Sequence, residues 1–115
     1  MTREDVRKQL AKNPLNWDCT KPFVTGGVRT VEHYAEIAEI SYDASVFFTI
    51  REKFEDSGSR TRAVLCLSTI DVTKNPYDPY EVELSAHIEM GLDDIKRIAE
   101  VQRLDLACRM LGVME

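Results

Sequence analysis

Apolar and polar residues alternate with two different periods along this chain, and the helical period occurs at both ends. Val6 and Leu10 lie four residues apart, which is the spacing of a narrow apolar stripe on a helix. Thr2 and the acid three residues after it have the form of a capping box, and Pro14 ends the pattern because the residue before a proline avoids the α region. The spacing predicts a first helix over residues 3–12.

The C-terminal part of the chain has the most helix-like pattern, from residue 92 to residue 111. Asp93 and Asp94 lie in its first turn, where carboxylates interact favourably with the helix dipole. Gly112 follows the last apolar residues, at the position where a glycine commonly ends a helix. A long C-terminal helix is therefore predicted.

Between these helices, several segments alternate with the period of two that is typical of strands. Residues 46–54 and 60–72 flank a polar turn that contains Gly58, which predicts a β-hairpin. Both faces of the second arm carry apolar residues, so we expect this arm to be central in the sheet. Two further strands are predicted over residues 15–20 and 81–90.

Residues 31–40 permit two interpretations. Alternate residues from Val31 to Ile37 fit one face of a strand, whereas the run over residues 35–39 also suits a helix. The β-branched and aromatic residues and the lack of a cap favour the strand, and the helix stays open as the alternative.

These elements predict an α+β fold, with an N-terminal helix, an antiparallel sheet of four to five strands and a long C-terminal helix packed on one face. The chain has 115 residues, a length that fits one domain over residues 1–115. A domain of this size buries enough surface to fold without a disulfide or a metal ion.

Short segments near both ends of the chain resemble known proteins. The sequences TREDVR (residues 2–7), NPLNW (residues 13–17) and GLDDIKRIAE (residues 91–100) resemble small uncharacterised proteins of bacterial phages and mobile elements. The resemblance implies a helix, an antiparallel sheet and a second helix, and it implies no particular chemistry.

The charge balance is acidic, with 15 Lys and Arg residues against 20 Asp and Glu residues and a formal net charge of −5. This balance argues against a general affinity for nucleic acids, because binding to phosphates needs a basic surface. No apolar run reaches the roughly 20 residues of a membrane-spanning helix, and the charged N-terminus lacks the apolar core of a secretory signal. We expect no association with a membrane.

The cysteines indicate a reducing compartment. Cys19, Cys66 and Cys108 are odd in number and widely spaced, unlike a disulfide framework or a zinc site. Reduced thiols in a cytoplasmic protein are the preferred interpretation. Cys66 and Cys108 lie in apolar segments, so we expect them to be buried and unreactive.

No segment has the pattern of a known catalytic site. His33 and His87 are the only histidines, and neither lies beside a nucleophile motif. The Gly26-Gly27 pair lacks the residues that complete a phosphate-binding loop. We expect no enzymatic activity and no cofactor.

The predicted strand over residues 81–90 offers one possible metal site. In a regular strand Glu83, His87 and Glu89 share a face and present mixed nitrogen and oxygen ligands. A solvated acidic face explains the same residues without a metal ion. This second interpretation is preferred, because carboxylates along one strand are about 7 Å apart.

The predicted hairpin carries a cluster of cations, namely Arg51, Lys53, Arg60 and Arg62. Such a cluster is a candidate anion-binding surface, and the order of elements is also that of double-stranded-RNA-binding domains. Acidic neighbours dilute the cluster, which favours a solvated hairpin that discourages edge pairing. An accessory nucleic-acid binder is therefore the alternative function.

Two tyrosines, Tyr77 and Tyr80, lie in a proline-containing segment that is predicted to be a loop. Tyrosines in exposed loops are frequent anchors for a partner protein. They also serve to cover the edge of a core, and the sequence leaves both interpretations open.

The C-terminal helix carries a second apolar stripe beside the one that a sheet would bury, and its members are Val101, Leu104, Cys108 and Leu111. The first helix has few apolar residues with which to cover this stripe. We therefore predict a homodimer in which these residues meet their symmetry mates. The predicted function is a non-enzymatic protein-interaction module.

Overall fold

The computed structural model describes residues 1–41, 44–56, 58–71 and 80–113. These residues form two helices and six strands. In chain order the elements are α1 (Arg3–Ala11), β1 (Asp18–Cys19), β2 (Phe23–Thr25), β3 (Val28–Ser41), β4 (Ala44–Phe54), β5 (Arg60–Asp71), β6 (Tyr80–His87) and α2 (Leu92–Met110). The fold is of the predicted α+β class.

The helix ends follow the sequence signals closely. The Thr2 hydroxyl accepts a hydrogen bond from the Asp5 backbone N–H, and the Asp5 carboxylate accepts one from the Thr2 N–H, so the predicted capping box is present. At the end of α2, Gly112 has a φ of 72°, and the next backbone N–H, of Val113, donates to the Cys108 carbonyl. This bond gives a donor to a carbonyl group that the end of the helix would otherwise leave without one.

All strand pairs are antiparallel, in the order β1-β3-β4-β5-β6, and β2 also pairs with β3. Residues 31–40 are part of β3, which resolves their two interpretations in favour of the strand. The second arm of the predicted hairpin, β5, lies between two other strands as expected.

The sheet is larger than predicted because Gly26 and Gly27 form a tight turn. Both glycines have positive φ, and the turn pairs Thr25 with Val28. Two-residue turns of this kind match the twist of a β-hairpin. Residues 23–25, which lie outside the strands predicted from the sequence, therefore add the strand β2 beside β3.

The two faces of the sheet differ. One face, here called the core face, contributes to a cluster of buried residues that also contains Ile95 and Ala99 of α2; its sheet members are Ala35, Phe48, Ile50, Ala63 and Leu65. The opposite face, here called the open face, carries the residues that alternate with these. The open face therefore presents many of the polar and charged side chains of the sheet.

A second, smaller core joins the two helices. Val6 of α1 is buried against Leu104 and Cys108 of α2, and Leu10 packs beside them. The expectation that α1 is too short to cover this part of α2 is wrong for these two residues. One valine and one leucine suffice because the helices approach each other at this position.

The regular alternation predicted for residues 81–90 is wrong because β6 contains a β-bulge. Leu65 and Cys66 of β5 pair with Ser85 and Glu83, which leaves Leu84 as an extra residue in β6. The bulge moves every following side chain to the other face of the sheet. Leu84 packs against the core, and Ala86 and Ile88, which follow the bulge, are exposed. Val82 precedes the bulge and pairs with Leu67, and it is also exposed.

Within the described residues, neither helix is both long and apolar enough to span a lipid bilayer.

Candidate interaction surfaces

An apolar groove lies between the two helices. Its volume is about 190 Å³, and its lining residues are Arg7, Leu10, Ala11, Glu100, Val101 and Leu104. The floor is apolar, and the two charged residues, of opposite sign, belong to different helices. Val101 is 54% exposed, which leaves a branched apolar side chain in contact with water beside the groove.

Two of the four residues of the predicted dimer interface are buried within the chain. Leu104 and Cys108 are buried against α1, so the packing of the chain itself covers them. Val101 and Leu111 remain exposed, the latter at 58%. The predicted stripe of four residues is thus divided between the core and the surface.

Three of the four cations of the predicted hairpin form ion pairs. Arg51 binds Glu81 through two hydrogen bonds of 2.9 and 3.3 Å, and Arg62 lies 3.0 Å from Glu83. Arg60 pairs with Phe54, one position along β4 from the Lys53–Arg62 pair, so its side chain extends from the other face of the sheet. The grouping of all four cations on one surface is therefore wrong, because an irregularity in the β4–β5 register, between the Lys53–Arg62 and Phe54–Arg60 pairs, moves Arg60 to the other face.

Arg60 belongs instead to a nearly buried polar network on the core face. Its guanidinium donates a hydrogen bond of 3.1 Å to Glu52, and Glu52 also lies 2.7 Å from the His33 ring nitrogen Nε2. Arg60 further donates to the backbone carbonyls of Ile88 and Met90. The network connects three strands to the segment that leads into α2.

The open face of the sheet contains a depression, here called the aromatic pocket, with a volume of about 250 Å³. Its lining residues are Glu32, Tyr34, Phe47, Thr49, Arg51, Ser68 and Glu81. Thr49 and Ser68 are small, nearly buried and within 3.5 Å of each other through their hydroxyl oxygens. The pocket forms because longer side chains from the same strands and from neighbouring strands surround these two short side chains.

The charges of the aromatic pocket are strongly coupled. The hydrogen bonds from Arg51 lower the pKa of the Glu81 carboxyl below its usual range, and the Ser68 hydroxyl adds a further hydrogen bond of 3.2 Å. The same interaction raises the pKa of Arg51. The guanidinium also donates to Glu32 at 3.4 Å, so its donors are already engaged within the chain.

The burial predicted for two of the three cysteines is confirmed. Cys66 and Cys108 are buried, and Cys19 is exposed. Burial raises the pKa of the Cys66 thiol, and the nearby Glu81 carboxylate raises it further.

Among the described residues, no group of three or more histidine, cysteine or acidic side chains is arranged to hold a metal ion. The bulge at Leu84 separates two of the candidate ligands. Glu83 pairs with Cys66 on the open face, and His87 pairs with Ala63 on the core face.

The tyrosine loop lies largely outside the described residues. Tyr77 falls in the segment 72–79, which the structure does not describe, and Tyr80 is the first residue of β6. Their role in binding a partner stays a prediction.

Comparison with known proteins finds no matching family model, no matching curated protein and no matching solved structure. The resemblance of the chain ends to phage and mobile-element proteins therefore stays a prediction.

Proposed function

We propose that this protein is a non-enzymatic protein-interaction module that forms a homodimer through the groove between α1 and α2. The observation that carries this proposal is the exposure of Val101 beside an apolar floor formed by Leu10, Ala11 and Leu104. Removing apolar surface of this kind from water is favourable, at roughly 25 cal/mol per Å².

The rim charges support a second copy of the chain as the occupant. In a two-fold interface the same patch meets itself, so each feature of one protomer faces a feature of the other. Arg7 on one side of the groove pairs with Glu4, and Glu100 on the other side lies 3.8 Å from Arg103, so each rim charge is compensated within its own chain. A groove whose rim charges are already compensated presents no uncompensated like charges when the same patch of two copies meets.

The position of α2 is part of this proposal. Ile95 and Ala99 belong to the same buried cluster as Phe48 and Leu65, which supports a packing of α2 across the core face of the sheet. With that side of α2 covered by the sheet and Leu104 covered by α1, Val101 is left on the outward side. The reduced thiols that the cysteine spacing indicates favour the cytoplasm as the compartment.

Light scattering after size-exclusion chromatography tests the proposal on the full chain. We expect a mass near twice the 13.2 kDa of the monomer at micromolar concentration. Val101→Glu introduces a charge into the apolar contact, and we expect this variant to be a folded monomer. Val24→Glu is the matched control, because Val24 is an exposed valine of the strand β2, outside the groove.

A monomeric wild-type protein would contradict the proposal directly. A dimer that Val101→Glu and Val24→Glu leave equally intact would place the interface elsewhere. Circular dichroism of both variants verifies that the fold is retained, since exposed substitutions usually change stability by less than about 0.5 kcal/mol.

No specific contact favours the alternative of an accessory nucleic-acid binder. Arg51, Arg60 and Arg62 are engaged with carboxylates of the chain itself. An engaged guanidinium has to break its ion pair before it can neutralise a phosphate.

A further inference from the structure

The register of the sheet places three carboxylates around one exposed aromatic ring. Glu32 and Glu36 are two residues before and after Tyr34 on β3, so all three side chains share the open face. Asp18 of β1 pairs directly with Tyr34, and directly paired residues also share a face. Tyr34 is 38% exposed at the centre of this arrangement.

A second aromatic ring lies beside the first. Tyr34 pairs with Thr49 and Glu36 pairs with Phe47, which makes Tyr34 and Phe47 diagonal neighbours on the open face. Diagonal positions are within reach of aromatic side chains. Both rings line the aromatic pocket, and both also line an adjoining depression that includes Asp18 and Glu36.

The two depressions are lined by more negative than positive side chains. Four carboxylates and two guanidinium groups line the two depressions; the acids are Asp18, Glu32, Glu36 and Glu81, and the bases are Arg51 and Arg103. Glu81 is neutralised by Arg51, and Arg103 lies 3.8 Å from another acid, Glu100. Among the described residues, neither Asp18 nor Glu36 takes part in an ion pair, so both retain an uncompensated negative charge beside the rings.

These features exclude two classes of ligand. An anion would meet the carboxylates, while each of the three guanidinium nitrogens of Arg51 already donates to Glu81 or Glu32. A metal ion needs oxygen ligands within about 2.6 Å of one point. Asp18 and Glu36 are diagonal neighbours on paired strands, roughly 7–8 Å apart, which is too far for one metal ion but suits a larger organic cation.

We propose that Tyr34 and Phe47, with Asp18 and Glu36, bind the guanidinium group of an arginine in a partner protein. A guanidinium is planar and weakly hydrated, so it stacks on an aromatic ring while its edge donates to carboxylates. The lysine ammonium is more strongly hydrated and lacks the planar surface. An arginine in an exposed segment of a partner can therefore stack on the aromatic rings and donate hydrogen bonds to the carboxylates.

This site lies on the sheet and is separate from the groove between α1 and α2. The partner that presents the arginine is a different molecule from the second copy of the chain, and its binding does not depend on the homodimer. Val101→Glu therefore leaves arginine binding unchanged if the inference is right, whatever the oligomeric state.

A titration of the full chain with defined peptides tests the inference. The probe is a short acetylated and amidated peptide of alternating arginine and glycine, followed by amide NMR shifts and by calorimetry. We expect shifts centred on Tyr34 and Phe47, an affinity that falls with added salt, and weaker binding of the matched lysine peptide. A matched glutamate peptide is expected to give no shifts.

Substitutions then separate the site from general charge attraction. Tyr34→Ala is expected to weaken binding of the arginine peptide by about fivefold or more, because it removes the stacking surface. Phe23→Ala is the matched control, since Phe23 is another exposed aromatic residue of the sheet and lies outside the pocket. Glu36→Gln is expected to weaken binding and to reduce its dependence on salt.

Several outcomes would overturn the inference. Equal affinities for Tyr34→Ala and Phe23→Ala would show that the rings are not the site. Equal binding of the lysine and arginine peptides would exclude guanidinium stacking, and equal binding of free spermidine would identify a polyamine site in place of a protein contact. Salt-sensitive binding of RNA with the same pattern of shifts would assign the surface to nucleic acid.

Discussion

The ring nitrogen Nε2 of His33 and the carboxylate oxygen Oε1 of Glu52 lie 2.7 Å apart on neighbouring strands, and both side chains are nearly buried. The second oxygen of Glu52 accepts a hydrogen bond from Arg60. Arg60 in turn donates to the carbonyls of Ile88 and Met90, just before α2. One carboxylate therefore organises the contact between the sheet and the start of the second helix.

Glu52→Ala is expected to lower the free energy of unfolding by about 3 kcal/mol, because removal of one member leaves buried polar groups without a partner. Urea denaturation at pH 7 measures the loss. Glu55→Ala is the matched control, since Glu55 is an exposed acid in the following turn, and its change is expected to stay within about 0.5 kcal/mol. Equal effects of the two substitutions would show that the network has no particular role in stability.

Glu81 is expected to make stability depend on pH in the acidic range. Its pKa is lowered chiefly by the hydrogen bonds from Arg51, so the interaction contributes fully above the ordinary value of 4.5 and is lost as the pH falls toward the lowered pKa. Glu81→Gln is expected to cost about 1 kcal/mol at pH 7, in view of the partial exposure of the pair.

The measurement for Glu81 is the unfolding free energy of both proteins between pH 7 and pH 3. We expect the difference between wild type and Glu81→Gln to shrink below pH 4.5, because the wild-type carboxyl becomes protonated there. The exposed Glu89→Gln serves as the control. A difference that stays constant over the whole range would contradict the role assigned to Arg51.

Leu104 and Leu111 are expected to differ sharply in stability measurements, although the sequence placed them on one stripe. Leu104→Ala removes a buried side chain from the core between α1 and α2, and a loss of about 2–3 kcal/mol is expected. Leu111→Ala changes an exposed residue and is expected to cost less than about 0.5 kcal/mol. Comparable losses in urea denaturation would mean that Leu111 is also covered.

The thiols provide a test of burial that needs no substitution. Cys19 is exposed, whereas Cys66 and Cys108 are buried. We expect a coloured thiol reagent to modify one cysteine rapidly in the native protein and all three in guanidinium chloride, since buried thiols withhold the reactive thiolate. Rapid native reaction of two or more thiols would contradict the central position of β5 or the docking of α1.

Local signals in the sequence were sufficient for the helices and the main hairpin. The capping box at Thr2 and the glycine at residue 112 act within one turn of the chain, so their effect is readable without tertiary contacts. The turn at Gly58 likewise connects β4 and β5, whose pairing is regular from Ala44–Asp71 to Lys53–Arg62. The Gly26-Gly27 turn was equally local, and its two adjacent glycines were the signal that could have predicted β2.

The aromatic pocket lacked such a signal. Asp18, Tyr34 and Phe47 come from three strands, and only the pairing of β1 and β4 with β3 brings them to one face. Because register is a property of strand pairs, the sequence of any one strand does not reveal which side chains will be neighbours.

The sequence by itself determined the α+β class, the order of the helices and of all strands but β2, and the burial of Cys66 and Cys108, because periodicity and end signals are encoded within each segment. Only the tertiary structure decided which apolar residues of α2 face α1, where the bulge at Leu84 reverses the faces of β6, and that Arg60 joins Glu52 on the core face. These features depend on contacts between segments far apart in the chain. The free energy of such a contact depends on the packing of both segments, and the pattern of one segment does not show which other segment it will contact.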